Sequence, residues 1–417
     1  MKFNMIFIKK ALVLGLGLLS YSAFSAQNTI TAENLATIES VSQVQVSPNG
    51  ESFAFIRSVP RELYVEKDGK NWGELYLVDD KGVERPFITG KVNIGNITWS
   101  ADGQLIFFLA KMNDEKHTAL YQISVNGGHA QKAVALKDTS INQYALSSDN
   151  KKIAILAKKA KDKSDKKLKD LGFKAEIYEE QLTNQLLYIT ELQQSEQAIT
   201  PKAWNINGYV SDVHFSPQGD KLLVKTQATA LIDDKYMKSQ WHLVDVKKQA
   251  VSLSFATEGK LGAAEFSYDG KYIALLGAQD KHDPAAGRLL LVEASTGKIT
   301  NWLPNYLAHV ADFEWANNRN ELFFIAHVGA ESIVAKLKPG STKYKKLVQP
   351  GKLIAANLSL SASDKTIALK GHTAKHPTEV FMLRGNKYKQ TRLTDSNEWL
   401  NDIRLAKQES INIKARD

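Results

Sequence analysis

One short pattern recurs seven times along the chain and restricts what it can fold into: an apolar strand end, a turn of Ser, Asp, Asn and Gly, and then an apolar run. It appears as Val46-Ser47-Pro48-Asn49-Gly50 before Phe53 to Ile56, as Trp99-Ser100-Ala101-Asp102-Gly103 before Leu105 to Ala110, and as Leu146-Ser147-Ser148-Asp149-Asn150 before Ile153 to Ala157. Phe215-Ser216-Pro217-Gln218-Gly219 and Phe266-Ser267-Tyr268-Asp269-Gly270 continue the series. Two weaker copies follow at Trp315-Ala316-Asn317-Asn318 and Leu360-Ser361-Ala362-Ser363-Asp364. The copies lie roughly 50 residues apart, the length of a four-stranded propeller blade. The exception is the interval between the third and fourth, which holds a lysine-rich insertion.

The turn has a physical logic. Proline presets φ at the second position, and a glycine or Asx residue accepts the left-handed conformation that closes a tight hairpin. The runs after the turn are apolar on consecutive residues, as in Leu105-Ile106-Phe107-Phe108 and Leu322-Phe323-Phe324-Ile325, so those strands are expected to be buried on both faces. A third strand is expected near Leu75–Val78, Leu120–Ile123, Leu186–Ile189, His242–Val246, Leu289–Val292, Ile333–Leu337 and Val380–Leu383, with a variable fourth. The predicted fold is all-β, a seven-bladed β-propeller with TolB/WD40-like repeats over residues 41–396. A β-sandwich would need no such periodicity.

The chain opens with Lys2, Lys9 and Lys10, an apolar stretch from Ala11 to Leu19, and small polar residues from Ser20 to Ala26, the three-part layout of a secretory signal peptide over 1–26. A periplasmic or secreted location is therefore expected. The apolar core is too short to span a bilayer, and no later stretch approaches the ~20 residues required, so the chain is expected not to be membrane-spanning. There is no cysteine, which excludes disulfides and thiol catalysis. The formal charge of +9 becomes +6 without the three leader lysines. Export argues against a nucleic-acid partner, and the positive excess sits largely in Lys158–Lys174, where eight lysines face Asp162, Asp165 and Asp170, the composition of a solvated loop or, less often, a docking patch. Residues 27–40 are read as an N-terminal helical segment.

Several segments together resemble the prolyl oligopeptidase (S9) serine peptidases, in particular exported bacterial members related to acylaminoacyl and dipeptidyl peptidases. They are Thr31–Leu35 leading into Val44–Pro48, Gly208–Asp212, Leu231–Met237, Asp283–Leu289, His376–Phe381, and Arg392–Asn397 running on to Ala406–Glu409. The resemblance implies a propeller followed by an α/β-hydrolase domain that carries a Ser/Asp/His triad, and it places residues 397–417 as a linker and first strand leading toward a hydrolase domain absent from this sequence. The residues alone suggest a short alternating strand, with Ile411 and Ile413 on one face against Asn412 and Lys414. It has no obvious partner in the ring.

A nucleophile elbow needs GxSxG, and the sequence contains none. Gly50-Glu51-Ser52 and Gly329-Ala330-Glu331-Ser332 fail the spacing. No histidine spacing brings metal donors to one face. The closest approaches are Lys281-His282-Asp283-Pro284 and His372 with His376, read as surface histidines. Ser100–Gly103 differs from a sialidase Asp box by lacking the aromatic after glycine, and Gly127-Gly128 is a strand connection rather than a phosphate cradle. The seven tryptophans are spread roughly one per blade, as repeated core positions would be. Catalytic, cofactor-binding and metal residues are therefore expected to be none, with no cofactor. The expected role is that of a propeller gating and docking peptides for a hydrolase domain, so the partners are peptides, that domain or another periplasmic protein. The alternative reading is a stand-alone TolB-like interaction propeller.

Overall fold

The computed structural model describes residues 29–416 apart from 113–114, 161–162, 176–181, 193–197, 283–284 and 352; the leader reading over 1–26 lies outside the described residues. Seven antiparallel sheets follow one another along the chain, each assembled from consecutive strands. The first blade holds β1 (Ser40–Val46), β2 (Ser52–Val59), β3 (Trp72–Asp79) and β4 (Glu84–Ile88). The second holds β5 (Gly95–Trp99), β6 (Leu105–Ala110), β7 (Ala119–Ser124) and β8 (Gln131–Val134), and the third β9 (Ile141–Leu146), β10 (Lys152–Lys158) and β11 (Gln185–Glu191). Blade four is β12 (Tyr209–Phe215), β13 (Lys221–Gln227), β14 (Gln240–Asp245) and β15 (Ala250–Phe255); blade five is β16 (Leu261–Phe266), β17 (Tyr272–Ala278), β18 (Gly287–Glu293) and β19 (Ile299–Asn301). Blade six contains β20 (His309–Trp315), β21 (Leu322–Val328), β22 (Glu331–Leu337) and β23 (Lys345–Val348), and blade seven β24 (Ile354–Leu360), β25 (Thr366–Thr373), β26 (His376–Arg384) and β27 (Lys389–Arg392). The predicted seven-bladed propeller is the fold observed.

Among the described residues blade three has three strands, and its lysine-rich insertion, which includes a helix α2 (Lys163–Asp170), lies in the connection between β10 and β11. In place of a fourth strand, Ala203 bridges Tyr188, and Trp204 N donates to Leu187 O at 2.8 Å. The expected N-terminal helix reduces to α1 (Ala32–Ala36), capped by Thr31, since β1 already begins at Ser40.

The recurring turn is built as its residues require. Ser47 Oγ donates to Asn49 Oδ1 at 2.6 Å and accepts Ser52 N at 3.0 Å, while Gly50 takes φ +80° and donates its N to Ser47 O. Ser100, Ser147 and Ser267 repeat this with Asp102, Asp149 and Asp269. The hydroxyl thus satisfies a backbone donor at the hairpin mouth that would otherwise be unpaired.

The continuous apolar runs have the predicted explanation. Among the described residues there are seven core clusters, one between each pair of neighbouring blades. Alternate residues of one strand serve opposite interfaces: Phe53 and Phe55 pack toward blade seven, Ala54 and Ile56 toward blade two. Phe107 packs toward blade three and Phe108 toward blade one. Full burial of each such phenylalanine contributes roughly 1.5–3 kcal/mol, so polar substitution anywhere along these runs would open a seam between blades.

Among the described residues, ring closure uses no shared strand. The first and last blades meet through the apolar cluster of Val44, Phe53, Ala368 and Val380 and through side chains that reach across. Asn357 Oδ1 accepts Val44 N (3.0 Å), Ser359 Oγ accepts Val46 N (3.2 Å), Thr378 Oγ1 donates to Val41 O (2.9 Å), and Arg384 binds both Asp80 and the Gly50 carbonyl.

Candidate functional site

The first strand of each blade lies innermost, against the first strands of its neighbours: β1 meets β5 and β24, β9 meets β12, and β20 meets β16 and β24. All seven carry a register irregularity near the same place, and in β5 and β24 it includes Asn96 and Asn357 at φ +52° and +53°. A bulge bends a strand and re-aims its side chains. Here the residues two and four before each turn face the axis, whereas those between them, such as Val44, Val213 and Phe313, are buried.

An innermost strand is an edge with unpaired N–H groups. The axial side chains supply the acceptors: Gln43 Oε1 takes Ile97 N (3.2 Å), Asp312 Oδ2 takes Leu358 N (2.8 Å), and Glu314 Oε2 takes Leu360 N (3.1 Å). Asn357 and Ser359 do the same for blade one, so the closing seam is sealed by the rule used elsewhere in the ring. Two lysines on second strands serve the carbonyls. Lys225 Nζ donates to Leu261 O (2.5 Å) and Gly262 O (3.3 Å), and Lys370 Nζ to Ser42 O (2.8 Å); burial lowers the pKa of both.

The axial wall is chemically lopsided. Blades seven, one, two and three present the amides and hydroxyls of Asn357, Ser359, Gln43, Gln45, Asn96, Thr98 and Gln143. Blades four to six present Asp212, His214, Glu265, Asp312 and Glu314. Burial raises the Glu265 carboxyl to about 7 against the opposing pull of His214, and raises Glu314 well above the carboxylate range, with Glu265 adding repulsion. Asp312 is also raised by burial. At His214 burial disfavours the imidazolium, but Asp212, with Oδ1 3.1 Å from Nε2, outweighs it and raises the pKa. Asp212 is itself held low, because His214, Gln143 Nε2 (2.6 Å) and Val213 N (2.9 Å) overcome its burial. The arc can therefore hold protons near neutrality and can bind cationic or hydrogen-bond-donating groups.

The strands meander outward, so the long second-to-third-strand connections share one face of the ring with the blade-to-blade connections. The chain enters β1 and leaves β27 on that same face. It displays Leu63, Tyr64 and Val65 between β2 and β3, Ile232 and Tyr236 in α3 (Ile232–Met237), and Leu307 between blades five and six, all exposed. Tyr64 is 92% exposed at φ +64°, on a loop pinned by Arg61 over Trp72, Arg61 Nε to Lys70 O, and Glu66 to Trp72 Nε1 and Lys91. The opposite face bears the tight repeated turns.

The residues weighed for chemistry in the sequence are not brought together. Ser52 opens β2; Ser332 lies in β22 and is 3% exposed, its Oγ accepting Ala355 N (3.1 Å) across the interface of blades six and seven. His282 is exposed, with its neighbours Asp283 and Pro284 outside the described residues. His372 is exposed, whereas His376 is half-buried, stacked on Phe381 with Nδ1 on Pro377 O, a packed position rather than the surface one expected. Trp99 and Trp315 occupy equivalent places and donate to Gln45 O and Glu265 O, both at 3.0 Å. Trp72 and Trp399 are only partly buried, so the tryptophans do not share one repeated core position. Residues 404–416 form no strand, and Ile411 and Ile413 are 79% and 85% exposed, since no strand is present there to pair with them. The axial arc was missed. Its signal was alternate polar residues just before the turn, as in Asp212/His214 and Asp312/Glu314.

No family model and no curated protein sequence matches the chain. Solved structures do. The Pyrococcus horikoshii acylaminoacyl peptidase superposes with a TM-score of 0.64 at 13% identity, covering 90% of this chain and 55% of that one. Puromycin hydrolase gives 0.66 at 14% identity over 89% and 56% of the two chains. The β-propeller domain of the Trilobed protease from Pyrococcus furiosus gives 0.59 at 16% identity and is covered over 98% of its length against 87% of this chain. This chain has the fold of a peptidase propeller. The chain spans about half the length of the acylaminoacyl peptidase and puromycin hydrolase chains it matches. An open velcro topology is described for the Trilobed protease domain; among the described residues of this propeller, no sheet mixes first and last strands. Among the described residues no helix is long and apolar enough to cross a membrane, and no group of three or more His, Asp and Glu is placed to hold a metal ion.

Proposed function

We propose that this chain is the non-catalytic propeller of an exported S9-type peptidase assembly, docking a hydrolase domain against the face that carries both chain ends and limiting access to short peptides. The observation that carries this reading is the coincidence on one face of the two chain ends, the long loops and the exposed side chains of Leu63, Tyr64, Val65, Ile232 and Leu307. Contiguous exposed apolar groups mark contact surfaces, and a pinned loop such as that of Tyr64 presents its contact with little ordering cost. The acidic arc supports the gating half of the reading, since Asp212, Glu265 and Glu314 offer acceptors to the amino groups and amides of a peptide threading the axis. The match to propellers that make up half of longer peptidases points the same way.

The test is isothermal titration of the purified chain with short N-acylated peptides, run beside a chromogenic aminoacyl-peptide assay. The expected result is weak binding of short peptides, lost in Glu314→Ala, with no turnover. Turnover that disappears when Ser52 or Ser332 is replaced by alanine would overturn the reading, as would the absence of peptide binding.

A further inference from the structure

The insertion of blade three carries a feature that peptide gating does not use. Helix α2 ends in a defined cap: Gly172 at φ +96° donates its N to Lys169 O, and Phe173 N donates back to Leu168 O, the paired bonds of a Schellman motif. Such a cap brings the residue after the glycine alongside the residue five before it, here Phe173 and Leu168. In a folded domain that pair ordinarily packs into the core. Here Leu168, Leu171 and Phe173 are 51%, 65% and 70% exposed, three large apolar side chains within six residues. Lysines surround them: Lys158, Lys159, Lys167 and Lys174 are exposed, and the insertion as a whole sets eight lysines against three aspartates.

A merely solvated loop would not carry the apolar residues. An interface with an apolar protein surface would not favour the lysines, which are depleted from such contacts. A small basic and apolar element held in a fixed shape suits a surface that is anionic outside and apolar just beneath. We propose that the exposed surface of Lys158, Lys159, Lys167, Leu168, Leu171, Phe173 and Lys174 binds an anionic phospholipid surface, with Leu168, Leu171 and Phe173 entering the headgroup boundary and these four lysines contacting lipid phosphates. The insertion joins β10 to β11 and so lies on the face where the chain enters β1 and leaves β27, but the proposal uses none of the residues on which the peptide-gating reading rests.

The test is sedimentation of the full chain with vesicles of phosphatidylglycerol and phosphatidylcholine mixed, against vesicles of phosphatidylcholine alone. Binding is expected on the anionic vesicles only, and it should be suppressed in high salt. Leu171→Ser with Phe173→Ser should weaken it at least tenfold. Lys167→Gln with Lys174→Gln should weaken it roughly 25-fold, at about fivefold per lysine. Both variants alter exposed residues away from the blade cores, and unchanged thermal unfolding shows that the ring is intact. Equal binding to both vesicle types, no binding to either, or undiminished binding by the serine variant would overturn the proposal. Capture by soluble polyglutamate without vesicle binding would overturn it in favour of an acidic protein partner.

Discussion

Asn397 pairs with Glu39 through both halves of its amide: Oδ1 accepts Glu39 N at 2.9 Å and Nδ2 donates to Glu39 O at 2.8 Å. The side chain thereby stands in for one rung of a β-ladder between the chain's entry to the first blade and its exit from the last. Beside it, fully buried Glu379 accepts Thr394 Oγ1 (2.5 Å), Ser396 N (2.9 Å) and Ser396 Oγ (3.0 Å), fixing the exit segment to blade seven. Asn397 is itself only 2% exposed, so truncating it would strand two backbone groups away from water. Asn397→Ala is expected to cost about 1–3 kcal/mol in urea unfolding. In hydrogen exchange the loss of protection should centre on blades one and seven rather than on the opposite side of the ring. Uniform loss would argue that the closing seam is not where the ring opens.

Gly208 sits just before β12 at φ +85°, where an added Cβ would lie 2.3 Å from Gln227 O. The obstructing atom is backbone, so it cannot swing away, and the left-handed conformation adds its own penalty for an L side chain. Gly208→Ala is expected to destabilise by more than about 2 kcal/mol. Gly329→Ala is the control: φ is +62° there but nothing lies within 4 Å, so only the conformational penalty of about 1–2 kcal/mol applies. Chemical denaturation of the two variants separates clash from backbone preference.

The repeated turn predicts where its serine matters and where it does not. Ser267 Oγ accepts Tyr272 N (3.0 Å) and donates to Asp269 Oδ1 (2.9 Å), and Ser267 is fully buried, so Ser267→Ala is expected to cost about 1–2 kcal/mol. In blade six the equivalent residue is Ala316, whose N bonds Glu321 O, while Glu321 N donates instead to Arg319 O at 2.9 Å. Ala316→Ser would offer a second acceptor to a donor that is already paired, and is expected to change stability by less than about 0.5 kcal/mol. Thermal unfolding of the two single variants checks the contrast.

How much of this was legible follows from what each sequence signal encodes. The turn residues around Ser47 and Gly50 and the unbroken apolar run Leu105–Ala110 report local hairpin closure and burial on both strand faces, and these fix blade number and order. The third-strand expectations fall within β3, β7, β11, β18, β22 and β26, and the fourth-blade one overlaps β14 to within a residue. What the sequence did not disclose depends on distant chain segments meeting. The Asn397–Glu39 pair, the Ser359 cap on Val46 N and the acidic arc on the axis come from separate blades. Polar residues such as Asp312 and Glu314 read locally as an exposed strand face, whereas the bulge and the neighbouring inner strands turn them toward one another. The alternation at Ile411–Ile413 is a local signal of the same kind: it permits a strand, but only a partner makes one, and the ring offers none among the described residues.

The arc also sets the direction of the chain's pH dependence. Glu265 is raised from 4.5 to about 7 by burial, so the folded state holds its proton more tightly than the unfolded chain does. Its contribution is complete below about 4.5, declines as pH rises toward 7, and is absent above that. Glu314 and Asp312, also raised by burial, act in the same direction, as does His214, whose pairing with Asp212 raises it above 6.5. Asp212, held low, opposes them only as pH falls below its ordinary value of 3.8. The arc's contribution to stability is therefore expected to decrease between pH 5 and 8, with Glu265 contributing on the order of 3 kcal/mol by ~1.4 kcal/mol per unit, whereas His242, His309 and His376, held below 6.5 by burial, add stability as pH rises through the lower part of that window. Glu265→Gln keeps an acceptor for Trp315 N, 3.4 Å from Oε2, but cannot ionise, so its urea midpoint should fall less than the parent's across this window. A variant whose midpoint changes with pH as the parent's does would show that Glu265 is ionised throughout this window and that its carboxylate adds its full negative charge to the axial wall at neutral pH.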